Sequence, residues 1–191
     1  MGKQKYQRYV EELFRKSPVV SLNSINRITN NPEYAKQLIR NLLLKGRISR
    51  LAKGIYTSQK NPELAVLCFK PAYLGLQDAL SFHDLWEQET IPVIITSRKV
   101  RMGIRKIMGM NVMVKGINSK YLFGFDYLPQ EKSHLPYSDI EKTLIDFVYF
   151  KKKLNKDVLK EISKRINKKK LETYLKSYPK RTKKIIDNLL N

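Results

Sequence analysis

The chain has 191 residues, 42% of them hydrophobic, and sets 38 lysines and arginines against 17 aspartates and glutamates for a formal net charge of +21. That length holds one large or two small domains with real cores. It contains no run near the ~18 apolar residues of a membrane-spanning helix, and its charged start, MGKQKYQRYVEELF, lacks a signal-peptide apolar block.

Taken in chain order, residues 3–15 read as an amphipathic helix, with Tyr6, Tyr9, Val10, Leu13 and Phe14 recurring at spacings of three and four. Ser17-Pro18 ends it, and Val19-Val20 reads as a short strand. Ser21 or Asn23 can cap a second short helix carrying Leu22, Ile25 and Ile28. Asn30-Asn31-Pro32 is a break and restart, in which Asn31 is a good N-cap and Pro32 suits the first helical position. The third helix runs to about Lys45, with Ala35, Leu38, Ile39, Leu42 and Leu43 on one face and Gly46 as its C-terminal stop. Ile48–Leu51, a turn at Ala52-Lys53-Gly54, and Ile55–Thr57 make a hairpin. Helix, short strand, helix, helix, hairpin within sixty residues is the order of a winged helix-turn-helix, with the third helix as recognition helix and the hairpin as wing.

Lys60-Asn61-Pro62 marks a domain boundary, so residues 1–60 are expected to be a DNA-binding domain and 61–191 a second one. The second reads as mixed α/β. It begins with a helix over Leu64–Phe69, continues with another over Leu76–Trp86, and has strands at Ile91–Thr96, Met110–Val114 and Tyr121–Tyr127. Ser138-Asp139-Ile140-Glu141 resembles a capping box ahead of KTLIDFVYF. Helical patterns around 156–166, 168–177 and 180–190 follow, all lysine-bearing, and form a helical C-terminal part over about 150–191. The fold class expected overall is α+β.

Charge is unevenly placed. Residues 1–60 are net +10, 61–149 net zero and 150–191 net +11. Two basic ends around a neutral middle imply a polyanionic partner. On the outward face of the third helix stand Glu33, Tyr34, Lys36, Gln37, Arg40 and Asn41, with Asn31 at its start. Gln and Asn pair with adenine edges and Arg with guanine, so these groups are candidates for major-groove contact. Arg47, Arg50 and Lys53 on the hairpin are candidates for straddling a phosphate backbone, or Lys53 at the tip for reaching the minor groove; alone, they would equally suit a cationic edge that discourages strand pairing. Arg98, Lys99, Arg101, Arg105 and Lys106 form a secondary basic surface for phosphate or an acidic partner.

Catalysis has little support. His83 and His134 are far apart, and the CxxC, HExxH, GxGxxG and GxxxxGK[ST] patterns do not occur. Asp126, Glu131, Asp139, Glu141 and Asp146 show no spacing diagnostic of a Mg²⁺ site. No catalytic residue, metal ligand or cofactor is assigned, and no enzyme is expected. Cys68, the single cysteine, lies in the apolar run AVLCF and is expected to be a buried, inert thiol of a cytoplasmic protein.

Several segments resemble the AbiEi-type antitoxins. LLLKGRISRLAKGIYT is similar to that family's L-x-R-G-x-Y wing at Leu51, Lys53, Gly54 and Tyr56, with Lys for the usual Arg. Ala79, Leu80 and His83 match its A-L-x-x-H helix, and IPVIITSRKVRMG is similar to its central strand and basic loop. Ser138, Glu141, Lys142, Thr143, Leu144 and Asp146 match its S-x-E-K-T-L-x-D helix. The resemblance spans most of residues 5–150 in the right order. It implies an autorepressing regulator that binds operator repeats in double-stranded DNA. It also implies a second domain that antagonises a nucleotidyltransferase-like toxin without a stable complex, as in type IV phage-defence systems. The rival readings are a nonspecific chromatin- or RNA-associated protein and a Mg-dependent nuclease.

Overall fold

The computed structural model describes residues 2–127 and 135–190. Glu131 and His134, weighed above for chemistry, lie outside the described residues, as does the side chain of Asp126. The architecture is α+β, and the chain divides into two compact units, Met1–Cys68 with Lys106–Met110 and Phe69–Arg105 with Asn111–Asn191.

In the first unit, α1 (Gly2–Lys16), β1 (Val20–Ser21), α2 (Leu22–Thr29) and α3 (Pro32–Leu44) precede a hairpin of β2 (Ser49–Ala52) and β3 (Ile55–Thr57). Side-chain caps explain where the helices begin. The Ser21 hydroxyl accepts the Ser24 amide at 3.0 Å, and the Asn31 carboxamide oxygen accepts the Tyr34 amide at 3.0 Å ahead of Pro32. Asn30, at φ 47°, and Gly46, at φ 64°, turn the chain out of α2 and α3 in the left-handed region. The amides of Gly46 and Arg47 then reach back to the carbonyls of Leu43 and Leu42, each at 3.0 Å, and so satisfy the end of α3. Gly54, at φ 74°, makes the hairpin turn where a Cβ would be strained.

The sheet of this unit has the order β1-β3-β2, all antiparallel, with Val20 opposite Tyr56 and Ser49 opposite Thr57. A register shift between Arg50 and Ala52 bulges β2. Val10 and Phe14 of α1, Ile25 of α2, Ala35, Leu38, Ile39 and Leu42 of α3, Ile48 just ahead of β2, and Tyr56 of β3 close one core. The stretch expected as a helix after Pro62 is a 3₁₀ turn series, Pro62–Cys68. Cys68 is half-buried rather than buried.

The second unit is built on β4 (Ala72–Leu74), α4 (Gln77–Phe82), β5 (Val93–Thr96), most of β6 (Gly103–Ile107) and of β7 (Met110–Gly116), β8 (Phe125–Tyr127) and β9 (Pro136–Ser138). The sheet order is β6-β7-β5-β4-β9-β8. β5 runs parallel to β7 and β4 parallel to β9, while β4–β5 and β8–β9 are antiparallel. Helices α5 (Ile140–Tyr149), α6 (Lys156–Arg165), α7 (Lys168–Leu175) and α8 (Lys180–Leu190) complete the unit. Their inward residues, including Leu144, Ile145, Phe147, Ile162, Leu171, Leu175 and Ile186, share a core with Tyr73, Leu80 and Ile95.

Three expectations are corrected here. The segment read as a basic loop contains a strand, β6. The strand expected over Tyr121–Tyr127 is a 3₁₀ turn, Ser119–Tyr121, followed by the shorter β8. α5 begins with Asp139 as its cap, accepting the Lys142 amide at 2.7 Å. Ser138 instead belongs to β9, where its hydroxyl is 2.7 Å from that of Thr143. Glu141 accepts the Asn167 amide at 2.7 Å near the start of α7, so it does not close a capping box.

Candidate nucleic-acid interface

The outward face of α3 is set by its core stripe. With Ala35, Leu38, Ile39 and Leu42 buried, the 3.6-residue period leaves Lys36, Gln37, Arg40 and Asn41 exposed, and all four are. Their donors and acceptors point away from the core and are held by a helix capped at both ends. Glu33, the one carboxylate on this face, pairs with Lys36 at 2.7 Å. The pair is exposed and adds little stability, but it blunts the negative charge that would repel phosphates.

The remaining candidates divide. Arg50 stands on β2 beside α3, with its guanidinium 5.8 Å from the centre of the Tyr56 ring. Lys53 is exposed at the hairpin tip. Arg47 turns elsewhere and bonds Glu11 of α1 at 3.0 Å. Tyr34 lies toward α1, with its ring 6.3 Å from that of Tyr6. The side-chain oxygen of Asn31 is engaged as the cap of α3. Thus Gln37, Arg40, Asn41 and Lys53 present exposed side chains in this unit, as do Lys36, paired with Glu33, and Arg50, over Tyr56, while Asn31, Tyr34 and Arg47 also serve its construction.

Between α3 and the β2–β3 hairpin lies a cleft of about 300 Å³. Lys36, Ile39, Arg40 and Leu43 line one side, at i, i+3, i+4 and i+7 of the helix, and Leu22, Arg50 and Tyr56 line the other. Sequence reading placed Leu43 in the core and gave Leu22 no role beyond its helix. The signal that would have found the cleft is the i, i+4 pairing of Lys36 with Arg40 beside an apolar step at Leu43. Leu44 was also overlooked: it is 76% exposed at the end of α3, one helical turn beyond Arg40.

The secondary basic residues belong to a different setting. Arg98, Lys99, Arg101 and Lys106 are exposed. Arg105 is half-buried; it donates to the Arg101 carbonyl, and its guanidinium lies 5.3 Å from the centre of the Phe69 ring. All fifteen cations of residues 150–191 are exposed, among them Lys164 paired with Glu161 at 2.6 Å and Lys170 with Asp139 at 3.0 Å.

The second unit also buries a charged pair. Lys142 and Asp146 form an ion pair with both side chains fully buried. The Tyr73 hydroxyl donates to Asp146 at 2.7 Å, and the Lys142 ammonium lies 3.2 Å from the Tyr178 hydroxyl. Burial pushes the Asp146 carboxyl up and the Lys142 ammonium down, and their mutual attraction opposes both shifts. Burial, reinforced by the Asp146 charge, raises the Tyr73 phenol well above its usual value, so it stays a donor. Among the described residues no group of three His, Cys, Asp or Glu side chains converges as metal ligands, and no helix is long and apolar enough to cross a membrane.

No protein-family model matches the chain, and no curated protein matches it. Among solved structures it is similar to the crystal structure of the RV2827C protein from Mycobacterium tuberculosis. The TM-score is 0.66 at 15% sequence identity, over 96% of this chain and 75% of that one. At that identity the likeness shows a shared fold.

Proposed function

We propose that the first unit is a winged helix-turn-helix and that the protein is a sequence-specific regulator of double-stranded DNA. The observation that carries this reading is the row Lys36, Gln37, Arg40 and Asn41. These residues are exposed on a doubly capped helix beside a hairpin that presents Arg50 and Lys53. α3 enters a major groove, where Gln37, Arg40 and Asn41 meet base edges. The hairpin is the wing on the flanking backbone. The excess of cations supplies the sequence-independent attraction on which base reading is superimposed.

The resemblance to AbiEi-type antitoxins supports a fuller reading. The protein then represses its own operon in the cytoplasm, and the second unit counters a nucleotidyltransferase-like toxin without forming a stable complex with it. The fifteen exposed cations of the C-terminal helices favour one rival, binding to nucleic acid of any sequence.

The wing assignment has a direct test. Arg50→Ala combined with Lys53→Ala is expected to weaken binding to every duplex by a similar factor. It should also flatten the slope of log affinity against log salt by about two units, one per lost phosphate contact. Anisotropy titrations between 50 and 300 mM salt, as an order-of-magnitude range, read both quantities. An unchanged slope would remove the hairpin from the interface.

A further inference from the structure

We propose that the cleft between α3 and the β2–β3 hairpin seats one phosphodiester of the DNA backbone together with its deoxyribose. The proposal rests on the DNA-binding reading of the first unit and assigns a ligand subsite within it.

The lining dictates the ligand class. Lys36, Arg40 and Arg50 supply three cations, and no carboxylate lines the cleft. Such a site selects an anion. Its floor, however, is apolar: Leu22, Ile39, Leu43 and Tyr56. A small hydrated anion gains nothing from that floor. A phosphodiester carries the negative charge and an attached sugar whose C–H faces are apolar, so both halves of the cleft are used. The volume, about 300 Å³, is at the small end of ligand pockets and matches one such unit rather than a stretch of strand.

The geometry supplies the second argument. If a helix enters a major groove and the adjoining hairpin reaches the neighbouring minor groove, the phosphate strand that divides the two grooves must pass between helix and hairpin. In this unit that passage is the cleft.

The grips differ in readiness. Tyr56 is 5% exposed and pairs with Val20 and Arg50 across the sheet, so the ring beneath the Arg50 guanidinium is fixed before DNA arrives. A guanidinium held in this way loses little freedom on binding and presents two N–H groups to two phosphate oxygens. Lys36 must first leave Glu33. Arg50 is therefore the main grip and Lys36 the lesser one, with Arg40 at the mouth shared with the base edges.

The test uses the full chain and the duplex that it enriches from a random-sequence library. A series of copies of that duplex each carries one neutral methylphosphonate. The expected result is one sensitive position per half-site, where neutralisation weakens the parent protein about tenfold or more. In Arg50→Ala that position is expected to lose its effect, falling to about twofold, while other positions keep theirs. Lys36→Ala should reduce the same sensitivity by a smaller factor, and Arg50→Lys should restore part of it. Melting curves of each variant confirm that the unit is folded. If a preferred duplex is enriched but no position is coupled to Arg50 or Lys36, the cleft assignment is overturned while DNA recognition stands. If no duplex is enriched, DNA recognition and the cleft assignment fall together.

Discussion

Lys142→Met is expected to lower the unfolding free energy of the second unit by about 3–5 kcal/mol, because it strands the Asp146 charge in the core. Asp146 is fully buried, and among the described residues Lys142 and the Tyr73 hydroxyl are the groups that stabilise its negative charge directly. The ammonium of Lys142 is also ringed by aromatic faces, 5.3 Å from the centre of Tyr73, 5.8 Å from that of Phe123 and 5.9 Å from that of Tyr178. Space around the stem of the Lys142 side chain is also short. A Cβ on Gly124 would come within 2.8 Å of the Lys142 Cβ and 2.9 Å of the Tyr174 ring.

The loss comes from the unpaired charge, not from any large net gain of the pair itself. A buried pair contributes little beyond an apolar isostere, since desolvation of both ions offsets their attraction. The quadruple variant Lys142→Met, Asp146→Leu, Tyr73→Phe, Tyr178→Phe removes the charged pair together with the two hydroxyls that bond it, and it should recover most of the loss. Equilibrium urea unfolding followed by the fluorescence of Trp86, the only tryptophan, reads the second unit directly. A loss below about 1 kcal/mol in the single variant would mean that the charges are not buried together.

The second large effect is on recognition. Arg40→Ala and Gln37→Ala are each expected to weaken binding to the preferred duplex by about 1–3 kcal/mol and to relax discrimination at one base pair. Gln37 carries no charge, so its loss should leave affinity for mixed-sequence DNA nearly unchanged. Arg40→Ala should weaken both, and the preferred duplex more. Titrations against single-base-pair variants of that duplex separate the two residues. If both substitutions left affinity and preference untouched, α3 would not be the reading element.

The first unit was largely legible because its boundaries are chemical. Ser21 and Asn31 cap, Pro32 starts a helix, and Gly46 and Gly54 take left-handed backbone; each acts within a few residues of its own position. The sheet of the second unit was not. β4 and β9 are three residues long and buried throughout, so they show no alternation. Leu74 of β4 meets Tyr137 of β9 in the sheet, far along the chain, and no local pattern announces such a pairing. β6 was hidden by charge: Arg105 and Lys106 made GIRKI read as a loop. The burial of Lys142 was not foreseen because lysine is seldom buried, although its i, i+4 spacing to Asp146 was in plain view. At the candidate interface, the exposed row on α3 followed from periodicity alone. The bond from Arg47 to Glu11 did not, since it depends on where α1 packs.

The central claim is that base sequence, and not charge alone, determines where this protein binds. The most direct measurement is the affinity of the full chain for its enriched duplex, set against a shuffled duplex of identical length and composition, at about 150 mM salt. The expected ratio is about a thousandfold or more. Equal affinities for the two duplexes, both collapsing as salt rises, would contradict it and leave a polycation that binds any nucleic acid.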